Sequence, residues 1–312
     1  MELLIILLTI LGLSLFEVIT SIDNAIINAE VLSTMSQRAR RWFLLWGMLF
    51  AVFVIRGVLP FVIIWVALPG MTPVEVFKAT LSSGEDVRKT IEHAAQVLLL
   101  GGGVFLIFVF FHWLFLETKN FGLRAEAFFH KQGAWFFAVA SIILMTIVWF
   151  ALKQSSMLAF GAVVGSTSFF IIHGFRQYAE EQEKKLLSVG VSDAAKIAYL
   201  EVLDSTFSVD GVIGAFAFTF SVPLILLGNG LGAVVLRKIT VSNIERIKRY
   251  KYLKNGAMYS IFFLGLIMII DGFGYHIPAW ISPFIMFITV GYFFNKSGAN
   301  LKALVLSLKD RV

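Results

Sequence analysis

Apolar residues run along this chain in long blocks, with polar residues gathered between the blocks instead of alternating inside them. A helix that crosses a bilayer needs about 20 mostly apolar residues. Nine blocks approach that length: 2–34, 42–67, 96–116, 134–152, 156–175, 196–220, 222–237, 257–272 and 281–295. The seventh and eighth are short, and Gly228, Gly230 and Gly232 are expected to break the seventh. Ser221-Val222-Pro223 reads as a tight turn between the sixth and seventh. Segment 70–95 reads as a polar external loop with a short helix over Asp86–Gln96, and 176–195, rich in Glu and Lys, as a solvated connector. The expected fold class is therefore an all-α, polytopic transmembrane helical bundle of about nine spans. Its expected parts are a first half over 1–116, linking spans and a cytoplasmic connector over 117–195, and a second half over 196–312.

Composition agrees with the pattern. The chain is 58% hydrophobic and 15% charged with a mean hydropathy of +0.85, against about 45–50% apolar and about 25% charged in soluble domains. With no cysteine, disulfides and thiolate metal sites are excluded. The net charge of +6 does not imply nucleic acid, because the basic residues sit in short loops. Twenty-one of the 26 Lys and Arg fall on one side of a nine-span alternation, four on the other, and Arg56 lies inside a span. Such a bias places the N-terminus outside and the C-terminus in the cytoplasm. The Met1-Glu2-Leu3 start, without a basic region or small-residue cleavage site, reads as a retained helix.

Two blocks carry residues that do not belong in hydrocarbon. Leu15 to Ala29 holds Glu17, Ser21, Asp23, Asn24 and Asn28, and Leu200 to Val212 holds Glu201, Asp204, Ser205, Ser208 and Asp210. One carboxylate at bilayer depth costs roughly 2.5–3.5 kcal/mol, so residues of this kind mark functional sites. The stretches resemble each other: Glu17-Val18-Ile19-Thr20-Ser21 matches Glu201-Val202-Leu203-Asp204-Ser205. Gly47 to Arg56 and Gly228 to Arg237 also share their spacing. On the assigned topology the two motif helices run in opposite directions, which predicts an inverted-topology internal repeat with a site at its interface.

At about 100° per residue, Glu17, Ser21, Asn24 and Asn28 share one stripe within roughly 40°, whereas Asp23 lies about 120° from Glu17. In the second motif Asp210 points nearly opposite Glu201, Asp204 and Ser208, unless the helix unwinds at Gly211 and Gly214 to turn it inward. Buried carboxylates need protons, Arg56 as counter-charge, or a bound cation. Carboxylate, amide and hydroxyl oxygens without thiolates suit a hard divalent ion such as Mn²⁺, Ca²⁺ or Mg²⁺, carried as cargo with no organic cofactor. The expected ligands are Glu17, Asp23, Asn24, Glu201, Asp204 and Asp210, assisted by Ser21, Ser208 and Asn28, with Asp271 on the exit path. His112 and His276 read as interfacial residues, and Gly101-Gly102-Gly103 as a close helix contact.

The pair of motifs, Glu17-x-x-x-Ser21-x-Asp23-Asn24 and Glu201-x-x-Asp204-x-x-Phe207-x-x-Asp210, resembles the paired signatures of the TerC membrane protein family. Arg56, Asn229 to Arg237, and Tyr252-Leu253-Lys254-Asn255-Gly256-Ala257 extend the resemblance over most of the chain outside 118–190. One departure stands out: where the family has Asp-Ser-Ile-Pro-Ala, this chain has Asp210-Gly211-Val212-Ile213-Gly214. The resemblance implies a relative of LysE-type exporters in a prokaryotic inner or plasma membrane, with manganese efflux and a link to tellurite resistance. The implied partners are a metal cation, the lipid bilayer and a second copy of the chain. Three other readings stand beside it: a small-solute or amino-acid exporter, an intramembrane aspartyl protease built on Asp23 and Asp210, and a non-transporting scaffold. The protease needs two carboxyls sharing a proton, and four or more converging acidic groups favour coordination instead.

Overall fold

A computed structural model of the chain describes residues 2–47, 49–67, 72–81, 85–186 and 191–309. No strand occurs among them. In chain order the helices are α1 (Glu2–Thr20), α2 (Ile22–Ser33), α3 (Gln37–Trp42), α4 (Arg56–Ala67), α5 (Pro73–Leu81), α6 (Glu85–Leu116) and α7 (Arg124–His130). They continue with α8 (Phe136–Leu152), α9 (Ser156–Leu186), α10 (Asp193–Ala215), α11 (Val222–Lys248), α12 (Leu253–Gly272) and α13 (Ile281–Lys309). Two π-helical stretches, Phe43–Gly47 and Phe50–Ile55, precede α4, and a 3-10 turn at Gly133–Trp135 leads into α8.

Five of the described helices are long and apolar enough to cross a membrane: Leu3–Thr20, Ala95–Leu116, Gly133–Leu152, Ser156–Tyr178 and Leu253–Gly272. They give the chain the character of a helical membrane bundle. In α6, 78% of the apolar window is buried, against 17% in α8, so α6 is the central post and α8 a peripheral one. Around α6 pack α12 and α9, with Phe105, Phe108 and Trp113 fully enclosed. On α8, Phe137, Met145 and Trp149 project outward. That apolar exterior suits acyl chains, not water.

Several local expectations change. The helix expected over 86–96 is the first part of α6. Helix α9 continues to Leu186, through most of the expected connector, because Glu, Gln and Lys are good helix formers. The glycines expected to interrupt helices do not. Helix α10 is continuous through Gly211 and Gly214, and α11 through Gly228, Gly230 and Gly232. Their role is close approach: an added Cβ would overlap the Phe16 ring at Gly214, and would lie 2.6 Å from Glu17 Cβ at Gly232. The first motif holds the break instead, a single non-helical residue, Ser21, between α1 and α2. The chain stays nearly helical there, since Ser21 N bonds Glu17 O at 3.1 Å and Ala25 N bonds Ser21 O at 2.9 Å.

The two motif helices are tied at one end. Ser36, the N-cap of α3, donates its hydroxyl to Asp193 Oδ2 at 2.6 Å, and Lys196 Nζ donates to Thr34 Oγ1 at 2.8 Å. Farther along, Ser14 Oγ donates to Gly228 O at 2.9 Å and locks α1 against α11.

Candidate functional site

The polar stripe of the first motif faces inward. Glu17 is 1% exposed, and Ser21 Oγ donates to its Oε1 at 2.8 Å. Room for the carboxylate exists because Gly232 and Gly211 lack side chains where α11 and α10 pass Glu17. Arg56, the first residue of α4, forms an ion pair with Glu17 Oε1. Its Nε donates to Ser208 Oγ at 3.1 Å, and that hydroxyl donates in turn to Asp204 O at 2.6 Å. Asn24 Nδ2 donates to Asp204 Oδ1, with Asn28 alongside the same carboxylate. The sequence alternates small polar and apolar faces with helical period, so α1–α2 and α10 meet through their polar sides.

These groups line a cavity of about 70 Å³: Glu17, Ser21, Asn24, Asn28, Arg56 and Asp204, closed by apolar residues such as Phe43 and Ala51. About 10–15 Å³ of such space holds one water, so the cavity has room for a small ion and a few waters. Three buried oxygens in this group have no hydrogen-bond partner among the described residues: Glu17 Oε2, Asn24 Oδ1 and Asn28 Oδ1. An unpaired buried polar atom costs about 1–3 kcal/mol, and all three here are acceptors.

The six ligands expected from the motifs do not assemble at one point. Glu201, on α10, lies against Gly47, outside the residues that line the cavity, and both its carboxylate oxygens are covered and lack a described partner. Asp210 keeps its helical phase and leaves the cavity altogether. Because α10 does not unwind at Gly211, the carboxylate turns to Arg176 on α9 at 2.8 Å. This pair lines a separate cavity of about 40 Å³ with His112, His173 and Glu117. The two imidazole rings lie with centroids 3.8 Å apart, tilted by 53° to each other. Asp271, at the end of α12, faces His276 at 3.8 Å and lines none of these cavities. Asp23 lies in the first turn of α2, and its side chain is outside the described residues. Among the described residues, no three His, Asp or Glu side chains form a ready metal cluster.

Some participants were not among the expected ligands. Arg237, noted in the sequence only for its spacing from Gly228, lines the first cavity at the start of a basic stretch, and Arg176 looked like one more loop cation. Asn229, 1% exposed in α11, has neither amide atom partnered among the described residues. Buried Glu126 caps α7 by accepting from Leu123 N at 3.1 Å, and its other oxygen accepts from Gly122 N at 2.7 Å and Asn255 Nδ2 at 2.8 Å. An N3 Glu at a helix start is a visible capping signal, but α7 is too short for its periodicity to show.

A family model described as a protein of unknown function, DUF475, matches residues 22–302. The chain is a DUF475 protein. No curated protein and no solved structure matches it. The DUF475 match spans both polar motifs from Ile22 onward, Arg56 and the Arg176–Asp210 pair, while Glu17 precedes it.

Proposed function

We propose that this DUF475 protein is a membrane transporter that exports a hard divalent cation, Mn²⁺ first, past Glu17 and Asp204. The observation that carries the proposal is the set of buried oxygens without partners, Glu17 Oε2, Asn24 Oδ1 and Asn28 Oδ1, around a cavity of ion-like size. Two carboxylates with amide and hydroxyl oxygens form a ligand set for Mn²⁺, Ca²⁺ or Mg²⁺ and a poor one for softer ions. The resemblance of the two motifs to TerC proteins, with their manganese efflux, supports the same reading.

Arg56 explains how the site survives without cargo. Its guanidinium neutralises Glu17 and holds Ser208, occupying the position a cation would take. Cargo entering the cavity replaces that charge, and Arg56 returns when the cargo leaves. The site is thereby never left as a bare buried carboxylate, a state whose cost reaches several kcal/mol. Nine spans, an inverted repeat of the 1–116 and 196–312 halves, and an N-terminus outside the membrane complete the proposal. The halves would rock about the Glu17–Asp204 contact to give alternating access.

A second reading, an amino-acid exporter, gains support from the juxtaposition of carboxylates and Arg56, which suits a zwitterion. A cavity of about 70 Å³ argues for the smaller cargo. The deciding experiment measures Mn²⁺, Ca²⁺ and Zn²⁺ uptake into everted membrane vesicles holding wild type or Asp204→Asn. Mn²⁺ uptake that the substitution abolishes supports the proposal. Equal uptake of all three metals in both preparations overturns it.

A further inference from the structure

Outside both polar cavities the bundle encloses a third, of about 310 Å³, between α4, α6, α9 and α10. Its walls include Ile63, Leu98, Phe105, Val164 and Ile213, and Ser168 is the single polar side chain among the described lining residues. Protein interiors are packed as closely as organic crystals, with few voids larger than a water molecule. An apolar cavity half this size, about 150 Å³, stays dry and takes up benzene. So large an apolar space in one bundle calls for an apolar occupant.

Three features identify that occupant. First, two lining residues, Val62 (40% exposed) and Phe160 (58% exposed), also form the outer surface, so the cavity has a lateral mouth. Second, that mouth lies at bilayer depth, because its walls on α6 and α9 fall inside the windows Ala95–Leu116 and Ser156–Tyr178. The molecules outside such a mouth are lipids. Third, the wall residues of α4, α6 and α10, at 59–63, 97–105 and 209–216, lie nearest the ends that the proposed topology places outside, and the α9 wall runs inward from that end, from Met157 to Ile172. The α9 wall extends about 22 Å at 1.5 Å per residue, more than half of a hydrocarbon core about 30 Å thick, which leaves room for one extended chain. Glycines define one edge of the space: Gly101 and Gly161 let the α6 and α9 backbones touch beside it.

We propose that this cavity binds one acyl chain of a phospholipid from the outer leaflet, entering between Val62 and Phe160. The chain would wedge α9 away from α10 through Val209 and Ile213, on the helix that carries Asp204 and Ser208. The inference rests on the bilayer reading of the helices and not on transport, so failure of cation uptake leaves it standing.

The test uses the full chain in phosphatidylethanolamine–phosphatidylglycerol nanodiscs doped with a phospholipid bearing a mid-chain diazirine. After irradiation, adducts are mapped by peptide mass spectrometry. Adducts should concentrate on Met157, Val164 and Ser168, above those on the perimeter residues Phe137 and Trp149. Val164→Trp, which fills the cavity, should lower the cavity adducts at least tenfold and leave the perimeter adducts unchanged. Ser168→Leu serves the same purpose if the first variant fails to elute as folded protein. Cavity labelling no denser than at Phe137 and Trp149, or unchanged in a folded filled variant, overturns the proposal. So does oxidation of Met157 by radiolytic hydroxyl radicals at the rate of a water-exposed methionine, because water would then hold the cavity.

Discussion

Arg56 and Glu17 form an ion pair with both side chains at most 5% exposed, inside the cavity that also holds Asp204. Breaking such a pair by deleting one partner costs about 3–5 kcal/mol, because the other charge stays buried and alone. Arg56→Gln should therefore lower the melting temperature of the detergent-solubilised protein sharply. Glu17→Gln with Arg56→Gln should recover much of the loss. Added Mn²⁺ should stabilise Arg56→Gln more than wild type, since the guanidinium no longer competes with it. Equal shifts in the two proteins would show that arginine and metal do not share the site.

Asp204 and Asp210 lie on one helix yet line different cavities, and this separates their variants. Asp204→Asn should weaken Mn²⁺ binding about tenfold or more, the loss of one charged ligand being worth at least about 1.4 kcal/mol. Asp210→Asn should leave binding within about twofold and lower stability by removing the ion pair with Arg176. Isothermal titration on both variants distinguishes these outcomes, and comparable losses of affinity would contradict the assignment.

Gly232→Ala tests the close approach of α11 to α1. The added methyl would lie 2.6 Å from both Glu17 Cβ and Ser14 O. Neither neighbour can retreat without disturbing the Arg56 pair or the Ser14 bond to Gly228. Overpacking of this kind costs about 1–3 kcal/mol. Thermal melting should show that loss together with reduced Mn²⁺ uptake.

Lys119 supplies a pH dependence outside the membrane helices. Burial pushes its amine down to about 8 from 10.5, against the opposing pull of Glu126 and Glu117, and Nζ donates to Leu114 O at 2.7 Å. The unfolded chain therefore binds one proton more than the folded chain between pH 8 and 10.5. Stability should rise over that interval and level off above it. Lys119→Met should flatten this part of the melting-temperature profile; an unchanged slope would assign it to another group.

The chain contains no cysteine, so single cysteines report topology without background. Cysteine at Gln154, beside Lys153, should react with a membrane-impermeant maleimide in intact cells. Cysteine at Arg124 or Lys251 should react only after permeabilisation. The reverse pattern would invert the proposed orientation.

Helical phase alone placed Glu17, Ser21, Asn24 and Asn28 on one inward face, and the structure lines one cavity with all of them. It also pointed Asp210 away from Asp204. The expectation that Gly211 and Gly214 would unwind α10 failed because a glycine serves equally for an unusual backbone or for a close neighbour. Only the opposing helix, carrying Phe16 and Glu17, decides between these. Arg176 was hidden for a related reason. Its partner Asp210 comes from another helix, and near a span end the positive-inside pattern masks a single functional cation.

The π-helical stretches before Arg56 carry a mechanical implication. A π turn closes hydrogen bonds one residue farther along than an α turn, so it stores a spare residue without a loop. One of them, Phe43–Gly47, ends at the Glu201 contact at Gly47, and the other, Phe50–Ile55, runs from there to the Glu17 pair at Arg56. Shifting the register by that residue turns the following helix by about 100°. A rotation of that size at Phe50–Ile55 would swing Arg56 off Glu17 without sliding the helix along its axis.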